Sequence, residues 1–410
     1  MKKIVFLLTL SLFFACSPSE PEPDNTPNLR TLSVAEDILV NSSNDFAFTL
    51  FEKLQNNDKP NRFLSPLSIG IALGMTLNGA EGETRQGILN TIQFGNLTEA
   101  EVNKGYYDLV NRLSGMDRTV SMNIANSVWH RKELSVKPAF KSVIESDYKG
   151  TVQGLDFSSS KSIDIINGWI EDKTNDKIKD VIQEISGDLV MFLINAIYFK
   201  GDWTYQFDKA KTEEGDFYLE NNSVVQTPMM RSDKVTVSLF AHEKFNLIGI
   251  PFGNRQFEFS VLLPHDSYKT EDIIPELNAG SFSEWTSQSH EQTVELRMPK
   301  FKMKWNKTLN NELSSLGMAQ AFSGSAQLPH FFENPLSLRI GFVDHHSFLE
   351  VNETGAEAAA VTVVGVFTTS LPAQPPIIVL NKPFIFLIRE KHSGTILFIG
   401  QLKDPSSLQG

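Results

Sequence analysis

Apolar positions along the chain follow two different periods, and the change comes near the middle. In residues 44–54 (NDFAFTLFEKL), Phe46, Leu50, Phe51 and Leu54 recur three or four residues apart, which predicts a helix with one apolar face. Residues 68–77 (SIGIALGMTL) predict a second helix rich in small and apolar side chains, with Ser65-Pro66 as its start signal. A third helical pattern covers 164–182 and breaks around Asn175. Beyond 190 the pattern turns to β-branched and aromatic runs bounded by turn residues: 190–199 (VMFLINAIYF), 257–263 (FEFSVLL), 293–299 (TVELRMP), 377–380, 384–389 and 396–399. Helices first and strands later predict an α+β fold with antiparallel or mixed sheets, not a doubly wound one.

The N-terminus breaks both periods. Lys2 and Lys3 precede an apolar stretch at 4–14 that is too short to span a bilayer, as in a signal peptide over 1–15. Cys16 follows Ala15 and is the only cysteine of the 410 residues, so 17–410 can form neither an intrachain disulfide nor a catalytic thiol. A small residue before a lone Cys resembles a bacterial lipobox. The expectation is lipidation at Cys16 and an exported, membrane-anchored chain on the cell surface or the periplasmic face; simple secretion is the alternative. Residues 17–31 are Pro-rich and acidic, so 16–37 is expected to be anchor and tether, and 38–408 one folded domain. The net charge of −12 argues against a nucleic-acid partner.

A search for catalytic chemistry returns little. His345-His346 has no companion ligand at helical spacing, and His242-Glu243 and His290-Glu291 lack the second histidine of a zinc motif. There is no G-x-S-x-G elbow and no phosphate-binding glycine loop. No enzyme, metal or cofactor is expected.

The stretch left over is 353–376, ETGAEAAAVTVVGVFTTSLPAQPP. It carries no charge after Glu357 and no proline between 355 and 371, so every backbone N–H there can enter a ladder. An ordinary core strand or a buried helix is the plain reading in isolation, although Val361–Val366 argues against continuing a helix from the alanine run. Six motifs in order point elsewhere: 61–89 (NRFLSPLSIGIALGMTLNGAEGETRQGIL), 166–182 (INGWIEDKTNDKIKDVI), 195–203 (NAIYFKGDW), 294–303 (VELRMPKFKM), 353–362 (ETGAEAAAVT) and 381–405 (NKPFIFLIREKHSGTILFIGQLKDP). Together they resemble the serpin family, of a bacterial lipoprotein type, over about 40–405.

That resemblance implies three β-sheets, eight or nine helices and an exposed reactive-centre loop at about 353–376. It implies a monomeric, metastable inhibitor that forms a covalent complex with serine proteases, and it admits cysteine proteases. The protease cleaves the loop, and the loop then inserts into the central sheet. The hinge maps to Glu353, Gly355, Ala356, Ala358, Ala359, Ala360 and Thr362. Counting from the hinge glycine places the reactive bond at Thr369-Ser370, with Phe367, Thr368 and Leu371 as nearby alternative sites; counting back from Asn381 gives Pro372. The polar cluster where strands part maps to Ser65, Ser68, Asn195 and His345, with Trp203 near the top of the sheet. A plain buried histidine and a core tryptophan are the alternatives for His345 and Trp203. No Lys or Arg occurs from 354 to 381, so elastase-like or chymotrypsin-like enzymes are expected first.

The loop residues themselves fit insertion. Ala356, Ala358, Ala360, Thr362, Val364 and Val366 alternate as one small, uncharged face, while Glu357 falls on the other. From Ala356 to Thr369 an extended strand would span about 46 Å. Its ladder would release on the order of 10 kcal/mol, comparable to a domain's whole stability. A non-inhibitory serpin and a hydrolase on another fold are the rival readings.

Overall fold

The first helix begins where the tether was expected. Ser33 accepts a hydrogen bond from the Glu36 backbone N–H at 3.2 Å, and the Glu36 carboxylate accepts from the Ser33 N–H at 2.8 Å. This capping box starts α1 at Val34, running to Lys53. Residues 34–37, assigned above to the tether, therefore belong to the domain. The computed structural model describes residues 26–27, 29–56, 61–334, 337–355 and 375–408. Cys16, Ala356, Ala358, Ala359, Ala360, Thr362 and the cleavage-site residues Phe367, Thr368, Thr369, Ser370 and Leu371 lie outside the described residues.

The helices that follow are α2 (Pro66–Leu77), α3 (Gly82–Ile92), α4 (Glu99–Ser114), α5 (Pro138–Ser146), α6 (Ser160–Lys173), α7 (Thr270–Ile273), α8 (Ala279–Ser287) and α9 (Asn310–Leu313). Nine α-helices among the described residues match the expected eight or nine. The predicted break at Asn175 is real: α6 stops at Lys173, and Asn175 and Asp176 take left-handed φ of 49° and 61°. α2 is apolar on nearly every face and is buried accordingly. A Cβ at Gly70 would meet the Tyr106 hydroxyl at 2.7 Å, so the small residues of α2 let α4 pack close against it.

The strands are β1 (Arg62–Leu64), β2 (Val120–Arg131), β3 (Thr151–Leu155), β4 (Met191–Gly201), β5 (Glu213–Tyr218), β6 (Val224–Ala241) and β7 (Phe245–Phe252). They continue with β8 (Phe257–Pro264), β9 (His290–Pro299), β10 (Phe301–Thr308), β11 (Asp344–Val351), β12 (Ile377–Val379), β13 (Phe384–Glu390) and β14 (Ile396–Leu402). A nine-stranded sheet runs β1-β14-β13-β8-β7-β6-β9-β12, with β5 hung on β6. β8, β13 and β14 are buried on both faces, which is why their sequences read as unbroken apolar runs.

The other two sheets are β3-β2-β4 and β10-β11. β4 pairs with β2, and β11 pairs with β10. The remaining edges of β4 and β11 border the same cavities, yet they share no ladder among the described residues. The expected large central sheet is thus two pieces with a slot between them.

Candidate functional site

The slot has a polar floor. α2 opens on Ser65, whose hydroxyl caps the Ser68 N–H at 3.2 Å. The Ser65 backbone N–H donates to His345 Nε2 on β11 at 3.0 Å. On the other side, the Ser68 hydroxyl donates to Asn195 Oδ1 on β4, and Asn195 Nδ2 donates to Asn126 Oδ1 on β2 at 2.6 Å. Asn126 in turn donates to the Tyr148 carbonyl at 2.7 Å. One chain of hydrogen bonds therefore runs from β11 through the first turn of α2 into β4 and β2. Beside it, the Ser347 hydroxyl donates to the Phe63 carbonyl at 2.7 Å. Burial pushes the His345 imidazole down to about 3, with His346 adding to the effect, so it is neutral and its Nε2 is free to accept.

The top of the slot is closed by a turn. Asn352 Oδ1 accepts from the N–H groups of Thr354 and Gly355 at 3.1 and 3.3 Å and from the Thr354 hydroxyl at 2.8 Å. The Asn352 N–H donates to the Gly355 carbonyl at 3.0 Å, closing a two-residue hairpin over Glu353 and Thr354. The reversed chain meets the residue just past β4 at once, through an isolated antiparallel bridge between Asp202 and Gly355. A Cβ on Gly355 would lie 2.0 Å from the Gly201 carbonyl oxygen, so only glycine fits.

Two side chains hold this turn. Trp203 donates from its backbone N–H to the Thr354 carbonyl and from its indole to the Asn352 carbonyl, both at 2.8 Å. Its ring stacks on Phe252 at 4.4 Å and is buried. Glu353 accepts from Lys300 Nζ at 3.0 and 3.2 Å and from the Thr212 hydroxyl at 3.0 Å. Burial alone would push its carboxyl up, but Lys300 and the other donors outweigh that and hold it below the usual range.

Ser65, Ser68, Asn195 and His345 thus come together at the floor, while Glu353, Gly355 and Trp203 come together at the rim. Asn126, Thr212, Lys300 and Asn352 complete the site and were missed. Asn352 carried a usable signal, since Asn two or three residues before Gly marks a side-chain-capped turn. Lys300 and Thr212 carried none, being brought to Glu353 only by the fold. Among the described residues no group of three or more metal-binding side chains occurs.

The profile of the family described as Serpin (serine protease inhibitor) matches residues 41–405. Serpin B4 of Homo sapiens is 31% identical over 388 residues, 90% of this chain and 99% of its own. Iripin-2 of Ixodes ricinus is 30% identical, covering 89% of this chain and 93% of its own. Among solved structures, the thermophilic serpin tengpin in its native state superposes with a TM-score of 0.82 at 28% identity, covering 92% and 97% of the two chains. Human thyroxine-binding globulin complexed with thyroxine gives 0.82 at 26%, covering 91% and 100%. With its three sheets, its slot and a family match spanning most of its length, the chain belongs to the serpin family.

Proposed function

We propose that this serpin is an irreversible suicide inhibitor of serine endopeptidases, elastase-like or chymotrypsin-like first, with Thr369-Ser370 as the reactive bond. The observation that carries the reading is the reversal at Asn352–Gly355, which sets Gly355 antiparallel to both Asp202 and Asn352 at the rim of the slot between β4 and β11. Continued in that register, Ala358 falls opposite Phe199 and Leu349, Ala360 opposite Ile197 and Ser347, and Thr362 opposite Asn195 and His345. Phe199, Leu349, Ser347 and His345 are all buried, so the small uncharged face of the loop meets the interior. Glu357 falls opposite Lys200 and Glu350, on the other face. The two patterns, one read from the loop and one from the strands, agree without adjustment.

In this mechanism the protease serine attacks the Thr369 carbonyl and releases the Ser370 amine, leaving the inhibitor esterified to the enzyme. Loop entry into the slot then carries the acyl-enzyme away before water can complete hydrolysis. Export, anchoring through a lipid on Cys16 and action as a monomer belong to the same proposal.

The test is incubation of the purified chain with pancreatic elastase, followed by denaturing electrophoresis and mass spectrometry of the released peptide. A denaturant-stable adduct and a peptide starting at Ser370 are expected. Cleavage without adduct across elastase and chymotrypsin would favour the non-inhibitory reading, a class of function that the thyroxine complex of the globulin relative keeps in view.

A further inference from the structure

Beyond the polar floor the slot widens into a cavity. It takes up about 850 Å³, mouth included, between α2 and the ends of β4 and β11 that lie away from the rim. Ile69, Leu73, Leu328, Phe331, Phe332 and Leu338 make its walls apolar. Phe342 also lines it and is one of the few large apolar side chains that remain exposed among the described residues, so the mouth is apolar too.

One polar group in the wall has bonding capacity to spare. Ser68 and Asn195 border the cavity but bond to each other, and the Thr76 hydroxyl donates to the Ala72 carbonyl at 2.8 Å. His345 differs. Its ring is neutral and 4% exposed, and its Nε2 accepts from the Ser65 N–H. The ring proton therefore sits on Nδ1, and nothing among the described residues accepts from it. A donor this buried calls for an acceptor. The charges nearby do not call for an ion. Arg339 lies 3.7 Å from Asp188, and the exposed Asp344 carboxylate accepts from the Thr308 hydroxyl at 2.5 Å. A neutral N–H among apolar walls matches a neutral oxygen on an apolar body.

We propose that this cavity binds a small uncharged aromatic carbonyl compound, its oxygen accepting from His345 Nδ1–H and its ring lying against Phe331 and Phe332. Resting on the inhibitory reading above, the ligand also regulates the slot. In the proposed register Val364 and Val366 would fall opposite Leu193 and Met191 of β4, and both of these β4 residues line the cavity. A bound ligand holds the space those valines need. The loop then enters as far as Thr362 and completes its insertion slowly, which gives the protease time to hydrolyse the ester and leave.

The experiment is isothermal titration of the purified chain with propiophenone and with propylbenzene, which has a methylene where the ketone has its carbonyl. Saturable one-to-one binding of propiophenone is expected, with propylbenzene about fivefold weaker for want of one hydrogen bond. A wholly apolar cavity would reverse that order, because the carbonyl would be buried unpaired. Ala72→Leu, which extends a side chain of α2 into the cavity, should abolish binding of both. No saturable heat, propylbenzene binding as tightly as the ketone, or unchanged binding to Ala72→Leu would overturn the site. If Ala72→Leu does not fold, the order of the two ligands on the wild type decides alone. Binding is read without a protease, so its failure is distinct from a failure to inhibit. A fraction of inhibitor cleaved by elastase that saturating propiophenone leaves unchanged would overturn the regulation alone.

Discussion

Replacing Glu353 by Gln removes a charge from the rim of the slot while keeping the side chain's shape. The carboxylate side chain is 5% exposed and that of its partner Lys300 is 40% exposed. A hydrogen bond to a charged group is worth about 1.5–3 kcal/mol when buried, and the exposure of Lys300 places this pair at the lower end. The amide also turns an N–H₂ toward either Lys300 or Thr212, leaving one of those donors unpaired. The expected loss is about 2 kcal/mol. The backbone bond from the Phe207 N–H to the Glu353 carbonyl at 2.8 Å survives, so the turn is loosened but keeps its path.

The assay is guanidinium unfolding at neutral pH, followed by tryptophan emission, because Trp203 touches the same turn. Lys300→Met and the double variant complete a cycle that isolates the pairwise coupling. The pH dependence supplies a second check. A carboxyl held below its unfolded value contributes stability above about pH 4.3 and loses it as pH falls through the folded value. The wild type therefore has an acid limb that Glu353→Gln flattens. A loss below about 0.5 kcal/mol, or strictly additive single variants, would refute the idea that this ion pair fixes the turn.

Three further perturbations test other parts of the site. Gly355→Ala forces a Cβ against the Gly201 carbonyl oxygen, with an overpacking cost of about 1–3 kcal/mol, and the ratio of adduct to cleaved inhibitor on a denaturing gel should fall. His345 is neutral in the fold and protonates near pH 6.5 when unfolded, so its contribution is complete above that pH and declines as pH falls toward about 3. His345→Gln should remove up to about 1.4 kcal/mol per pH unit from that slope, read as urea midpoints between pH 7 and 4. Under the proposed insertion, Ala358→Arg would place a charge on the inward face of the loop, where burial without a partner is costly. Elastase should then cleave the variant without forming an adduct, and unchanged inhibition would contradict the proposed register.

How much was legible in the sequence depended on whether polar residues interrupted the apolar pattern. α2 was readable because Ser65-Pro66 marks its start and its interior is almost wholly apolar. The start of α1 was not, because Ser33 and Glu36 cap a helix at the end of a Pro-rich tether, where composition argues for disorder. β2 escaped for a related reason. Asn123 and Asn126 punctuate it, yet Asn126 is buried and satisfied by Tyr148 and Asn195. β6 shifts register between Ser232 and Val235, and that irregularity erases the alternation a strand should show. The floor of the slot is drawn from residues 65, 68, 126, 195 and 345, a set no local period can assemble. Family resemblance supplied four of the five, and only the fold supplied Asn126.

The division of labour between floor and rim bears on how such a slot can open. Two strands joined by a full ladder would have to break several backbone bonds before a third could enter. Here β4 and β11 are linked through side chains and one helix turn, by bonds such as Ser65 N–H to His345 and Ser68 to Asn195. Each is worth roughly 0.5–1.5 kcal/mol net, and each can be exchanged for a bond to an incoming group. In the proposed register the first hydroxyl on the inward face of the loop is Thr362, opposite Asn195 and His345. The alanines before it pass apolar and hydroxyl neighbours and demand nothing from them. Entry would therefore proceed freely from the Gly355 turn until Thr362 reaches the floor, where a polar group arrives at the place where polar bonds must be surrendered. Thr362→Val, nearly isosteric but without a hydroxyl to offer, should leave the first stage of entry intact and slow its completion. Its signature would be a larger fraction of cleaved inhibitor at unchanged folding stability, and an unaltered adduct yield would mean that the floor opens without help from the loop.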